Sequence, residues 1–439
     1  MPSNGVAAVA GVPDGGEHRD PEDFTLRAGA GSSGPVTDTG SLLTTLDCRA
    51  CCAQVDPGHP VGVCPNCGHA LLASYDLEKL DGARWKESLP GRVASLWRYR
   101  ELLPVRREES IVTLGEGFSP ILRLDGGVPT NGHGLWLKDD GGLPTGSFKA
   151  RGMAVAVSRA RELGVRSTFV PSAGNAGVAL AAYAARAGVH ARVYLPERTP
   201  QPMKDGCRAY GAEVLELPGT LREVGTAARQ TEGRSGAFDL STLREPYRVE
   251  GKKTMGLEIA EQFGPGDLPD AIVYPTGGGT GLVGMFKAFQ ELRALGLVER
   301  IPRLYAVQPD GCAPVVRALE DGASATTPWE SPHTVAPGLL VPAPFASERI
   351  LEAVRESRGG GTTVSDASIV RAMRLLATRH GVSASPEGAA TYAGLESLRA
   401  RRAIREDETV LLYNTGSGLP FSIPELERSL VTEDPAPER

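Results

Sequence analysis

The stretch "STFVPSAGNAGVALAAYAARAG", Ser167 to Gly188, runs from a short β-branched and aromatic segment through a glycine-containing loop into an alanine-rich segment. An apolar run of strand length, a breaker and then a run of helix formers read as strand, loop and helix. The same order recurs outward along the chain. "HARVYLP" (190–196) precedes "PMKDGCRAYG" (202–211), "AIVYPT" (271–276) precedes "GLVGMFKAFQELRALG" (281–296), and "RLYAVQP" (303–309) precedes "GCAPVVRALEDG" (311–322). Strands alternating with helices predict an α/β fold built on largely parallel sheets with helices on both faces. In such sheets ligands collect where strands end and loops begin, so those loops are where chemistry is expected.

The rest of the chain narrows the function. With 439 residues, 41% hydrophobic and 23% charged, it can bury sizeable cores in two or three domains. A formal net charge of −6 without a long basic run argues against nucleic acid as the main partner. No apolar run reaches the length of a membrane span and the start lacks a signal-peptide pattern, so a cytoplasmic location is expected. Residues 1–40 are rich in Gly, Ala, Ser, Pro and Asp without hydrophobic periodicity, which predicts a disordered tail, and 431–439 read as a second tail.

Between 41 and 80 lies "CRACCAQVDPGHPVGVCPNC", with Cys48 and Cys51 in one C-x2-C pair and Cys64 and Cys67 in another. Paired knuckles of this kind place four thiolates around a zinc ion, which would staple a segment poor in apolar residues. A reducible thiol cluster is the competing reading, and Cys52 blurs which thiols would ligate.

Three loops carry candidate chemistry. In "LKDDGGLPTGSFKARGM" (137–153), Lys149 follows a turn of Pro144, Gly146 and Ser147 and opens a helix. An amine beside a positive helix end is disfavoured as ammonium and can form a Schiff base. In "VPSAGNAGVAL" (170–180), Ser172, Gly174 and loop N–H groups could hold a carboxylate, while Asn175 offers a donor to a phenolate oxygen; a plain N-cap and tight turn is the alternative. In "YPTGGGTGLVG" (274–284), Gly277, Gly278, Gly279, Thr280 and Gly281 could close the backbone around a phosphate at a helix start. The loop lacks the Gly-Lys-Ser/Thr ending of a P-loop. Its G-x-G-x-x-G spacing, with Asp310 after the next strand, also admits a dinucleotide site, but that leaves the lysine and asparagine loops unexplained.

Lysine, asparagine and glycine loops in this order resemble the fold-type-II pyridoxal-phosphate enzymes, and the threonine synthase family most of all. "LWRYRELLP", "LGEGFSPILRL", "PTGSFKARG", "PSAGNAG", "PYRVEGKKT", "PTGGGTG" and "NTGSG" follow that family's order, and the cysteine segment is similar to a zinc-ribbon-like start found in some members. The resemblance implies a tryptophan-synthase-β-like fold of two interleaved parallel-sheet α/β domains over 81–430, behind a small N-terminal zinc-ribbon-like segment. It implies pyridoxal 5′-phosphate as cofactor, with Lys149 as the Schiff-base lysine and proton shuttle. Phe148 would lie near the ring, Asn175 at the ring hydroxyl, Gly277 to Gly281 at the cofactor phosphate and Thr415 at the pyridine nitrogen.

The substrate so implied is a small amino acid, O-phosphohomoserine, converted with water to threonine and phosphate, with Arg248 clamping the substrate phosphate. Read alone, Arg248 is a surface arginine in a basic turn with Lys252 and Lys253. The chain departs from the family pattern at Ala150, where an acid is usual, at Leu243, where a serine is usual, and in a phosphate loop that is nearly all glycine. These departures keep a β-eliminating or β-replacing enzyme, acting on serine, threonine or O-phosphoserine, as the alternative, with an NAD-binding or non-catalytic protein further away. The assembly is left open, a homodimer being one form it can take.

Overall fold

The computed structural model describes residues 37–124, 134–172, 174–264 and 266–432. Most of the expected N-terminal tail, residues 1–36, and the terminal segment 433–439 lie outside the described residues. Order begins before residue 40: Asp38 bridges to Arg107, and the buried Thr39 hydroxyl donates to the Val105 carbonyl at 2.6 Å.

Among the described residues thirteen strands, numbered in chain order, form three sheets. They are β1 (Leu43–Asp47), β2 (Gln54–Val55), β3 (Leu72–Tyr75), β4 (Ile121–Arg123), β5 (Leu135–Asp139), β6 (Ser167–Pro171), β7 (His190–Pro196), β8 (Glu213–Leu217), β9 (Phe238–Asp239), β10 (Ala271–Pro275), β11 (Arg303–Pro309), β12 (Gly360–Val364) and β13 (Val410–Asn414). The main sheet has the order β12-β11-β10-β13-β5-β4. Its strands are parallel except β4, an antiparallel edge, so the sheet is largely parallel as expected. The second sheet, β8-β7-β6-β9, is wholly parallel and is inserted in sequence between β5 and β10. The two sheets are therefore interleaved in sequence.

The central strands show why the pattern was readable. "AIVYP" of β10 and "VLLYN" of β13 are buried at every position, as a strand covered by helices on both faces must be. At the edge, β8 alternates exposed glutamates with partly buried residues. Because β5, β13 and β10 are parallel neighbours in register, their C-terminal ends release three loops at one place. Those are the lysine turn after Asp139, "NTGSG" after Tyr413 and the glycine loop after Pro275.

The antiparallel sheet β2-β1-β3 carries the cysteine knuckles and packs on the rest of the described chain. Arg159, on the helix Lys149–Glu162, donates to the Pro57 carbonyl at 2.7 Å. The Tyr75 hydroxyl donates to Glu250 at 2.9 Å, and Arg49 pairs with Glu352. Among the described residues no helix is long and apolar enough to cross a membrane.

Candidate active site

The lysine turn and the "NTGSG" turn are joined by backbone hydrogen bonds. The Phe148 N–H donates to the Thr415 carbonyl at 2.9 Å, and the Ser417 N–H donates to the Gly146 carbonyl at 2.9 Å. These bonds place Thr415, itself buried, beside the first turn of the helix Lys149–Glu162. The Phe148 ring meets the Tyr274 ring edge-on at 6.4 Å between centroids, and Tyr274 stands just before the glycine loop. Three of the sequence-predicted segments therefore converge on Phe148.

Lys149 keeps part of its surface open while dense packing surrounds its amine, which lies 3.9 Å from the Phe148 ring centroid. Burial first, and then the Arg248 charge, lower the amine to about 7, with Glu387 acting the other way. The sequence argument credited the helix end, whereas burial is the first cause here. An amine near 7 is free in a large fraction of molecules at neutral pH, as a nucleophile or proton carrier requires.

The glycine loop is tight for a physical reason. Gly279 has φ +73° and caps the helix Thr280–Ala294, and an added Cβ there would lie 2.2 Å from the Ile350 side chain. At Gly277 an added Cβ would lie 2.4 Å from the Gly338 carbonyl oxygen. With no side chains in the way, the first-turn N–H groups, which lack intrahelical partners, are open to an anion. This cradle, the amine of Lys149 and the buried Tyr274 hydroxyl, which has no partner among the described residues, fit a phosphorylated aldehyde cofactor.

On the second sheet, Asn175 opens the helix Asn175–Ala187, which packs against both the Pro144–Gly146 turn and the lysine helix. The Ser172 hydroxyl accepts from the N–H groups of Gly174 at 3.2 Å and Gly177 at 3.0 Å. It is thus spent on shaping the turn.

Arg248 is not in a surface turn. It lies in the first turn of the helix Tyr247–Phe263 and is 1% exposed, while Lys252 and Lys253 are fully buried on the same helix. Its Nη1 donates to the Leu240 carbonyl at 2.6 Å, and its Nε has no protein partner among the described residues. Glu245 accepts from the N–H groups of Tyr247 and Arg248; burial pushes its carboxyl up to about 7 against the pull of Arg248. Leu243, at the position where a serine was expected, is buried with φ 57°.

The four cysteines form a separate cluster. Their sulfurs all lie within 4.8 Å of one another, with Cys48 to Cys67 at 3.4 Å and Cys51 to Cys64 at 3.6 Å. Zinc held by four thiolates sets sulfurs about 3.8 Å apart, so the set fits that ion. Cys52 is exposed and outside the cluster, which resolves which thiols belong to it.

Beneath the site lies a group that sequence reasoning missed. Arg151 bonds Asp140 and Glu258, and Lys138 bonds Glu258 at 2.8 Å, all four side chains fully buried. Burial opposes the charge on Glu258, but Arg151 and Lys138 outweigh it and hold the carboxyl near 2.

Residues 112–416 match the family described as "Pyridoxal-phosphate dependent enzyme". The chain is 36% identical over 375 residues to the threonine synthase of Methanosarcina acetivorans, covering 84% of this chain and 91% of that one. It belongs to the threonine synthase family. The threonine synthase of Methanocaldococcus jannaschii is 34% identical, covering 85% of this chain and 92% of the relative. Among solved structures, the T.th. threonine deaminase superposes with a TM-score of 0.55 at 30% identity, covering 66% of this chain and 89% of that one. The threonine deaminase isoform 2 of Solanum lycopersicum, at 21% identity and TM-score 0.60, covers 85% of this chain and 98% of that one and shares the fold. The family is one of pyridoxal-phosphate-dependent lyases with the fold-type-II architecture, and a dinucleotide reading of the glycine loop falls away.

Proposed function

We propose that this member of the threonine synthase family converts O-phosphohomoserine and water to threonine and phosphate. The observation that carries the reading is Arg248, a buried guanidinium whose charge reaches Lys149 and whose Nε lacks a partner among the described residues. A buried cation beside the reactive amine suits a substrate that brings a phosphate dianion, and arginine meets such a group with two parallel donors.

When bound, pyridoxal phosphate supplies an electron sink that stabilises negative charge developing at the substrate Cα. The Gly277–Gly281 loop would hold its phosphate, Asn175 would donate to the ring hydroxyl and Phe148 would pack near the ring. Thr415 would offer the pyridine nitrogen a neutral hydroxyl rather than a carboxylate, a partner that suits elimination and replacement better than transamination. The turn at Ser172 and Gly174 presents the helix start at Asn175 to the substrate carboxylate. Lys149, lowered to about 7, takes the proton from Cα and later returns one. A proton also leaves Cβ, Arg248 holds the phosphate as it departs from Cγ, Cγ takes up a proton, and the hydroxyl of water adds at Cβ, with the proton returned to Cα, to give threonine. In the ribbon, Cys48, Cys51, Cys64 and Cys67 hold a structural zinc ion, reading the cluster by its sulfur spacing.

The test is Arg248→Ala in the full chain. Removing one partner of a desolvated charge pair costs about 2–5 kcal/mol, so the specificity constant for O-phosphohomoserine should fall at least about tenfold. Any turnover of serine or threonine, which carry no phosphate, should change little. An equal loss on all these substrates would contradict the assignment of Arg248 as the phosphate clamp.

A further inference from the structure

Lys252 has no role in the chemistry above, yet it is a fully buried amine at the reactive lysine. Its Nζ donates to the backbone carbonyl of Phe148, the residue that caps the lysine helix, and lies 4.1 Å from the Phe148 ring centroid. The Lys149 amine lies 3.9 Å from the same centroid. Two amines from different helices therefore share one aromatic ring.

The packing makes room for this side chain. Lys252 runs between the lysine helix and the helix Thr280–Ala294, and both neighbours present a glycine to it. A Cβ at Gly152 would lie 3.3 Å from the Lys252 Nζ, and one at Gly284 would lie 2.8 Å from its Cβ. A side chain at Gly152 would crowd the Lys252 amine, and one at Gly284 would press on the Lys252 backbone and Cβ, so the two glycines leave room for the lysine.

We propose that Lys252 is a positioning residue for Lys149, its amine tying down the Phe148 carbonyl and ring against which the Lys149 amine rests. The proposal rests on Lys149 being the cofactor lysine. Electrostatics supports it. Burial, the neighbouring Lys149 and Arg248 charges, and Arg151 more weakly, all disfavour an ammonium at Lys252, and Asp140 acts in its favour. A neutral amine donates the hydrogen bond without adding a cation beside Lys149, and a buried amine left unbonded would cost stability, which keeps it on the Phe148 carbonyl.

The test compares Lys252→Gln, which keeps a donor, with Lys252→Met, which keeps the approximate shape, and Lys252→Arg, which adds a permanent cation. Turnover is measured against pH, and in the cofactor-free full chain the rate of Lys149 acylation by acetic anhydride is followed against pH by peptide mass spectrometry. Lys252→Met should lose at least tenfold in kcat with KM within about twofold, and Lys252→Gln should recover most of it. Lys252→Arg should move the Lys149 titration to lower pH, since a like charge disfavours the ammonium. Equal kcat losses in the Gln and Met variants, with an unmoved Lys149 titration in the Arg variant and native circular dichroism in all three, would reduce Lys252 to a packing residue. If instead Lys149→Ala keeps its cofactor and full turnover, the underlying assignment of Lys149 fails and the proposal with it.

Discussion

The Arg151 guanidinium donates to the Asp140 carboxylate at 2.8 Å in a place closed to water, two residues beyond the reactive lysine. The bond fixes the first turn of the lysine helix to the end of the main sheet. Arg151→Met would leave Asp140 and Glu258 as buried carboxylates with one cation, Lys138, between them. Breaking a buried pair in this way costs about 3–5 kcal/mol. Urea unfolding of the full chain should show a loss of that size. A second check uses pH. The Glu258 carboxyl is lower in the folded state than in the unfolded one, so its contribution is present above the ordinary glutamate range and is lost as pH falls toward about 2. Glu258→Gln should therefore flatten the acid limb of stability below about pH 4.5.

Turnover should carry an acid limb near pH 7. The Lys149 amine must be unprotonated to take a proton from the substrate, and burial and Arg248 hold it at about 7, so activity is lost as pH falls through that value. Arg248→Gln removes a charge that disfavours the ammonium and should shift the limb to higher pH. A pH profile of kcat for both proteins, with any surviving activity in the variant, checks the direction.

The sequence carried the fold where local signals were strong. The β10 and β13 runs are apolar throughout because helices cover both faces, and such runs are legible without partners. The glycine loop and the lysine turn were legible because each needs particular residue types at a strand end. Taken alone, the segment "PYRVEGKKT" looks like a basic turn, because three cations within six residues resemble solvated surface. Lys253 is paired with Glu250 and with Glu291, which is far along the chain on another helix, Glu245 accepts from the Arg248 N–H, and Lys252 donates to the Phe148 carbonyl. Asp140 and Glu258 were invisible for the same reason: a buried ion pair is a tertiary fact with no periodicity to betray it.

Metal removal should reach the cofactor site through the ribbon. Arg49, between two of the cluster cysteines, pairs with Glu352 on the helix Ser347–Glu356, and Ile350 of that helix closes on Gly279. Cys64→Ser with Cys67→Ser should lose about one zinc per chain and weaken pyridoxal phosphate binding, by several-fold rather than completely, since the cradle itself remains. Metal analysis and a cofactor titration by absorbance check the two halves separately. Metal-free protein with unchanged cofactor affinity would show that the ribbon is mechanically independent of the glycine loop.

The central claim is the reaction itself. Purified holoenzyme should be given O-phosphohomoserine, O-phosphoserine, serine and threonine side by side, with threonine, phosphate, pyruvate and 2-oxobutyrate measured in each. The account predicts threonine and phosphate in equal amounts from O-phosphohomoserine, at a specificity constant well above that for any other substrate. Faster release of pyruvate or 2-oxobutyrate than of threonine would contradict it, and would assign this glycine-only loop and Leu243 to a deaminating enzyme.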